Sequence, residues 1–252
     1  MSELKVSIIT CVYNRKNTIL ESISSVGIQT YPLIEHILID GGSTDETLEV
    51  IQKHFNSRMV LVSEPDYGIY DAINKGIMKS TGDVVCLLHS DDTYASNSII
   101  AEVAKEFSNP ELDAVYGDAV FFKHGNAEKI QRHYRSDRFS PQMLSKGWMP
   151  AHTTLFLRRR VFEKYGLYKI NYKIAGDMDF VARIFKSGNL QSKYIPKIMV
   201  RMRIGGVSTG GVKNTILLNR EVLRALRENG IKTNIIKLLS KYPLKILEFF
   251  RW

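Results

Sequence analysis

The chain has little cysteine, no long apolar run and none of the common phosphate-loop or hydrolase signatures, and each shortage removes a class of protein. Its 252 residues include two cysteines, Cys11 and Cys86, far apart and each inside an apolar, strand-like run. Neither a disulfide framework nor a zinc site is implied, and buried thiols are expected. No stretch reaches the roughly 18 apolar residues of a spanning helix, and no basic leader with an apolar core and a small-residue cleavage site opens the sequence. A cytoplasmic protein is therefore the expectation. No Gly-x-x-x-x-Gly-Lys-Ser/Thr loop and no Gly-x-Gly-x-x-Gly turn follows the first apolar run, which argues against most kinases, nucleotidases and dinucleotide oxidoreductases. The absence of His-Glu-x-x-His and Gly-x-Ser-x-Gly counts against metalloproteases and serine hydrolases in the same way.

What is present is the composition of a folded domain, 44% hydrophobic and 24% charged, enough to bury one substantial core. Lysine and arginine number 35 against 26 acids, a net charge of +9, which favours an anionic partner. The basic residues are scattered and form no recognition motif, so nucleic acid is not expected.

The first half alternates β-branched runs with helical periods. Residues 6–12 read as a strand, followed by a helix with Ile19, Leu20, Ile23 and Val26 on its apolar face. Thr18 with Glu21 has the spacing of a capping box. A run over 36–39 ends in Asp40, and Ser43 with Glu46 then precedes a helix through Leu48, Ile51 and Phe55. A run over 59–62 leads to a helix through Ile69, Ile73 and Ile77, and after Gly82 the run 84–88 leads into His89-Ser90-Asp91-Asp92. Such alternation predicts a parallel α/β sheet. Beyond Phe107 it loosens. Strands are expected over 114–122 and 153–157, a polar irregular stretch over 123–147, a helix over 177–186, a glycine-rich loop over 205–211 and a helix over about 212–228.

Ligands of open parallel sheets bind beyond the carboxyl ends of the strands. Here those ends run into Tyr13-Asn14-Arg15, Asp40-Gly41-Gly42-Ser43-Thr44-Asp45, Glu64-Pro65-Asp66-Tyr67 and Ser90-Asp91-Asp92. One acidic exit is an ordinary helix cap; four together point to a site. Adjacent carboxylates after a buried strand repel each other unless a cation or hydrogen-bond donors compensate. Magnesium or manganese, held by one or two carboxylates plus substrate phosphates, would do so, and capping of a helix near Asn97 is the equally weighted alternative on these residues alone.

With residues 6–15, Asp40 to Asp45, Gly82-Asp83 through Asp92, and Ala175-Gly176-Asp177-Met178-Asp179 in view, the chain resembles the family 2 glycosyltransferases of bacterial polysaccharide and lipopolysaccharide biosynthesis over roughly residues 5–210. The resemblance implies a single GT-A (Rossmann-like) α/β domain over 1–210, with a mostly parallel central sheet flanked by helices. Its nucleotide-binding half would span about 1–110 and its acceptor half about 111–210, with 211–252 as a C-terminal helical appendage. It further implies an inverting transfer of a hexosyl or N-acetylhexosaminyl group from a nucleoside-diphosphate sugar, UDP-sugar favoured, to a hydroxyl of a growing or lipid-linked saccharide. Tyr13, Asn14 and Asp40 would hold the nucleoside, Asp91 would face the ribose and Asp92 would bind Mn2+ or Mg2+. Asp177 would be the general base, although Gly176 stands where the family usually has Glu, and His89 where it more often has Asn or Asp. Asp179 would orient the acceptor or Asp177. His152 resembles a histidine found near acceptor or diphosphate, and Arg201 and Arg203, ahead of Gly205-Gly206, are placed to reach diphosphate or an anionic acceptor.

The last residues alternate Leu, Ile, Phe and Trp with Lys237, Lys241, Lys245 and Arg251, interrupted by Pro243. Lysines at every fourth position give a helix one basic stripe, the pattern of helices lying on anionic bilayers. A peripheral contact of residues 232–252 with the inner membrane face is expected, with packing on the body or on a second subunit as the alternative. Two other functions compete. A sugar nucleotidyltransferase would need a glycine-rich, basic loop after the first strand, where Tyr13-Asn14-Arg15-Lys16 has no glycine. A noncatalytic nucleotide- or carbohydrate-binding module would have no need of Asp177.

Overall fold

Seven consecutive buried residues, Val6–Val12, form β1, and an unbroken apolar run of this kind belongs in the middle of a sheet covered on both faces. The computed structural model describes residues 4–123, 126–205 and 211–240. β2 (Ile34–Asp40) is equally buried, and β3 (Met59–Ser63) and β4 (Val84–Leu87) complete a parallel set in the order β3-β2-β1-β4. In register, Val12 stands opposite Asp40, and Asp40 opposite Ser63. The strand exits singled out by the sequence therefore open on one edge. Helices α1 (Ile19–Gly27), α2 (Thr47–Lys53) and α3 (Ile69–Lys79) make the crossovers.

Past β4 the sheet becomes mixed. β5 (Thr93–Tyr94) and α4 (Ile99–Glu106) precede the long strands β6 (Ala114–Lys123) and β7 (Asn126–Tyr134). β8 (Phe156–Arg158) and α5 (Arg159–Tyr165) lead to α6 (Gly176–Phe185) and β9 (Ser192–Arg203). β8 lies between β4 and β6, antiparallel to both, while β9 pairs parallel with β6 and antiparallel with β5.

Several local expectations change. The stretch 123–147, read as irregular, holds β7 and a 3-10 turn, Pro141–Lys146. β7 pairs with β6 alone, and Arg132 lays its guanidinium 5.2 Å from the Phe121 ring and 5.4 Å from Tyr134. An arginine stem covers apolar surface while counting as charge in a sequence pattern. The expected strand at 153 begins at Phe156, because His152–Thr154 forms a 3-10 turn whose Thr154 hydroxyl is bonded to the Ala151 carbonyl and the Gly117 backbone. Neither capping box forms: Thr18 makes no side-chain cap bond, Glu21 pairs instead with Arg203, and Ser43 Oγ accepts from the Asn14 N–H. Tertiary partners took Glu21 and Ser43, while the Thr18 hydroxyl is buried without a hydrogen-bond partner.

The C-terminal helices α7 (Val212–Glu228) and α8 (Ile235–Leu239) pack on the body of the domain. Val222, Ala225, Leu226 and Leu238 join one core cluster with Ile9, Val85, Phe180 and Ile184. Residues 206–210 of the glycine-rich loop and 241–252 of the tail lie outside the described residues.

Candidate active site

At the exit of β1, Tyr13 is 56% exposed and Asn14 adopts φ 51°, a left-handed conformation that asparagine tolerates better than most residues. The Asn14 carboxamide oxygen accepts from the N–H of Thr44 at 2.8 Å and of Asp45 at 3.3 Å. Asn14 thus ties the first strand exit to the second. Asp40 lies beneath the same loop with no exposed surface, accepting from the N–H groups of Gly42 and Ser43 and from Ser63 Oγ at 2.7 Å. The sequence reading had Asp40 facing the nucleoside; in the structure its carboxylate is spent on shaping the turn. The carboxylate that lies over the turn is Asp66. A Cβ added at Gly41 would sit 2.3 Å from Asp66 Oδ2 and 3.6 Å from the Tyr13 ring, so a side chain at 41 would push the Asp66 carboxylate off the turn.

Asp91 is half-buried and Asp92 only 2% exposed. Asp92 Oδ1 accepts from the Arg203 backbone N–H at 3.2 Å, whereas its buried Oδ2 has no hydrogen-bond partner. Burial, then the neighbouring Asp91 charge, pushes the Asp92 carboxyl well above the usual range. An unpartnered buried carboxylate oxygen is costly, and a divalent ion is the partner that suits two adjacent aspartates. No group of three or more His, Cys, Asp or Glu able to hold a metal occurs among the described residues. Donor oxygens for a cation here would come from Asp92, Asp91 and a substrate's phosphates, the pattern usual for Mg2+ and Mn2+ sites of this kind. Arg203 bonds Glu21 of α1 at 2.6 Å, and the Arg201 and Arg203 guanidinium groups lie 5.6 and 5.2 Å from the Phe122 ring. Arg203 thus lies against Asp92, while Arg201 pairs through its backbone with Thr93.

Asp177 occupies the first turn of α6. Its Oδ1 accepts from the Met178 N–H at 2.7 Å and its Oδ2 lies 3.6 Å from His152 Nδ1. His152 Nε2 in turn lies 2.8 Å from His89 Nε2, and the His89 carbonyl accepts from the Asp92 N–H at 3.0 Å. The two acidic clusters are thus joined by two imidazoles and share one site. Burial raises the Asp177 carboxyl to about 6, against the opposing pull of the Met178 N–H and His89. Burial also lowers both histidines to about 4, so at neutral pH they are uncharged and Asp177 is mostly ionised.

Asp179, expected to face the acceptor or Asp177, does neither. It has no exposed surface and binds Lys169 and Arg183, each at 3.0 Å, and the Asn229 amide at 2.9 Å. Residues two apart on a helix point to different sides, and Asp179 anchors α6 to α7. Gly176 also has a physical reason: a Cβ there would lie 2.7 Å from the Tyr70 ring, and Tyr70 is itself held by the Ile174 carbonyl at 2.7 Å. Two further residues belong to the site without having been singled out. Glu221 of α7 accepts from the N–H groups of Lys173, Ile174 and Ala175, fixing the approach to Asp177. His89 was visible in the strand exit but had no partner until His152 folded against it.

The fold is α/β, and its two acidic clusters are linked through His89 and His152. The chain belongs to Glycosyl transferase family 2, which it matches over residues 7–166. A PGL/p-HBAD biosynthesis glycosyltransferase of Mycobacterium bovis is 30% identical over 248 residues, 94% of this chain and 90% of that protein. An uncharacterised glycosyltransferase of Rickettsia prowazekii is 26% identical over 81% of this chain and 65% of its own length. Among solved structures, S. aureus TarS in complex with UDP superimposes with a TM-score of 0.68 at 15% identity, covering 95% of this chain and 72% of that one. A mannosyltransferase from Pyrobaculum calidifontis in complex with GDP-Man and Mn2+ gives 0.64 at 18% identity, covering 89% and 65%. At these identities the structural likenesses establish the GT-A fold. Glycosyl transfer follows from the family.

Proposed function

We propose that the protein is an inverting glycosyltransferase that moves one sugar from a nucleoside diphosphate, UDP-sugar by preference, onto a hydroxyl of a growing or lipid-linked saccharide. The observation that supports this most strongly is the continuous run from Asp92 through His89 and His152 to Asp177. That run supports a donor diphosphate at the Asp91-Asp92 end and a base at Asp177. The acceptor hydroxyl gives its proton to Asp177 as its oxygen attacks the anomeric carbon. The new carbon–oxygen bond forms on the face opposite the breaking bond to the diphosphate, so the configuration inverts. General-base assistance of this kind contributes about 10²–10⁴-fold. Asp92 and Asp91 would hold Mn2+ or Mg2+, which when bound would neutralise charge on the departing diphosphate. Asp91 would also face the ribose, and Arg201 and Arg203 would add positive charge on the same side.

On the nucleoside side, Tyr13 offers an exposed ring face for stacking, and Asp66 is the carboxylate placed to accept a ring N–H. Uracil, thymine and guanine carry such an N–H, whereas adenine and cytosine do not. Asp40 and Asn14 act through the loop they hold. UDP and UDP-GlcNAc accompany TarS in its solved complexes, which supports the uridine preference by analogy of fold. The test is a panel of UDP-, GDP-, dTDP- and CDP-sugars, each assayed for transfer and donor hydrolysis with Mn2+ and with chelator. The expected result is metal-dependent turnover of a UDP-sugar by the wild type and weakened donor binding in Asp66→Ala. No turnover with any donor under any condition would defeat the proposal, and transfer unaffected by chelator would remove its metal.

A further inference from the structure

Two histidine nitrogens 2.8 Å apart, His89 Nε2 and His152 Nε2, leave room for one proton between them, so one ring must donate and the other accept. The choice is coupled to Asp177. A neutral His152 that donates from Nε2 has a bare Nδ1, and that lone pair would face the Asp177 carboxylate at 3.6 Å. If His152 instead accepts at Nε2, its proton resides on Nδ1 and points at the carboxylate. With Asp177 ionised, the second arrangement turns a repulsion between lone pair and anion into a charge-assisted hydrogen bond. Catalytic hydrogen bonds in unliganded sites are often long and tighten with substrate, and a 3.6 Å separation is within that reach.

We infer that His89 is a positioning residue for the transfer reaction: by donating its Nε2 proton to His152 it fixes His152 in the Nδ1–H form, which orients the base Asp177 and holds it ionised. This rests on the assignment of Asp177 as base. The Asp177 carboxylate is then held from two directions, Met178 N–H on Oδ1 and His152 Nδ1–H on Oδ2, leaving a lone pair of Oδ2 for the acceptor proton. The backbone that carries the His89 ring is fixed: its carbonyl takes bonds from the Asp92 N–H and from Ser22 Oγ. The ring itself meets His152 at 5.1 Å between centroids, tilted by 58°. The other ionisable groups acting on this set are Asp91 beside His89, Glu221 of α7, and Tyr70 and Tyr168 against Asp177. None of these lies between the two imidazoles.

The test compares His89→Leu, which fills the space without a donor, with His89→Gln, whose side-chain amide sits where Nε2 was and can still donate an N–H. For His89→Leu the expected result is a fall in kcat of about tenfold or more, the loss of one hydrogen bond to a charged group. KM for the donor should stay within about twofold, and the acidic limb of the kcat/KM profile should move upward by about 1 pH unit. His89→Gln should recover most of kcat and return the limb to its wild-type position. Nitrogen-15 spectra of histidine-labelled full-length protein provide a readout independent of turnover: His152 should show the Nδ1–H tautomer in the wild type and a mixture or the Nε2–H form in His89→Leu. Wild-type kcat and pH limb in His89→Leu, equal impairment of the Leu and Gln variants, or an Nε2–H tautomer at His152 in the wild type would each overturn the inference. Failure of Asp177 as base would show separately, as an unchanged kcat in Asp177→Asn with the tautomer result intact.

Discussion

Asp177 and Asp179 are two residues apart at the start of α6, and their surroundings give them opposite chemistry. Asp177 is one-fifth exposed in the side chain and lies beside two neutral imidazoles; Asp179 is sealed between Lys169, Arg183 and Asn229. Only the first can exchange a proton with an acceptor. Asp177→Asn should therefore bind donor normally and lose about 10²–10⁴-fold in kcat, measured by donor titration alongside single-turnover transfer. The pH dependence has a definite sign. A base must be ionised to act, and burial raises Asp177 to about 6, so kcat/KM should climb as pH rises through about 6 and flatten above it. A flat profile from pH 5 to 8 would contradict the assignment. Asp92 supports a different prediction, because its buried Oδ2 has no partner and burial strongly disfavours its charge. In chelator, Asp92→Asn should be at least as stable as wild type, because it removes a buried carboxylate charge beside Asp91. With Mn2+ and UDP the order should reverse, since only wild type gains from binding. Thermal melts under the two conditions check both signs. At this scale the sequence was informative about which residues are acidic and where they cluster, and uninformative about which way each side chain turns. That is why Asp40 and Asp179 read as ligands and fold as anchors, whereas Asp66 and His89 gain their places only through contacts with residues distant in the chain.

β1, β2 and β4 could be read directly, because a strand buried on both faces is mostly apolar, and the chain offers few other reasons for runs such as 6–12, 36–39 and 84–88. β7 could not, since an edge strand of lysine, arginine and histidine gains its burial from arginine stems and from pairing with β6. The helices show the same division. α6 was legible from its acidic first turn and apolar period, yet what fixes its position is Glu221 on α7, 46 residues beyond Ala175 in the chain. That carboxylate gathers the N–H groups of Lys173, Ile174 and Ala175 immediately before Gly176. Against the upward push of burial, those donors hold its pKa below the ordinary value, so it stays charged and caps the approach to α6. Glu221→Gln keeps the shape but halves the acceptor capacity and removes the charge. It should cost about 1–3 kcal/mol in urea unfolding and lower kcat more than it raises donor KM, because the donor site is carried by β1 to β4. An equal loss in both parameters would place the α7 contact in donor binding instead.

On the scale of the whole molecule, the acceptor side of the sheet and the C-terminal helices form one body, and the surplus of nine positive charges finds a structural outlet where that body ends. Leu238 of α8 is buried against the core, while Ile235, Ile236 and Leu239 on the same short helix are exposed, Ile236 at 77%. No helix among the described residues is long and apolar enough to cross a membrane. An exposed apolar edge beside Lys232 and Lys237, continuing in sequence to Lys241, Lys245 and Arg251, has the composition of an interfacial anchor, and each lysine near an anionic surface contributes about 1 kcal/mol. The full-length protein should co-sediment with vesicles containing anionic phospholipid, bind neutral vesicles far less, and release as salt shortens the screening length to a few ångströms. Replacing Ile236 and Leu239 with aspartate together should weaken vesicle binding at least tenfold while leaving hydrolysis of a soluble donor unchanged, because α8 touches neither the acidic pair nor Asp177. Equal binding to neutral and anionic vesicles would deny the electrostatic part. Unaltered binding of the double variant would leave the exposed face of α8 without a membrane role, and a shift to monomers in that variant by light scattering would identify its partner as a second copy of the chain.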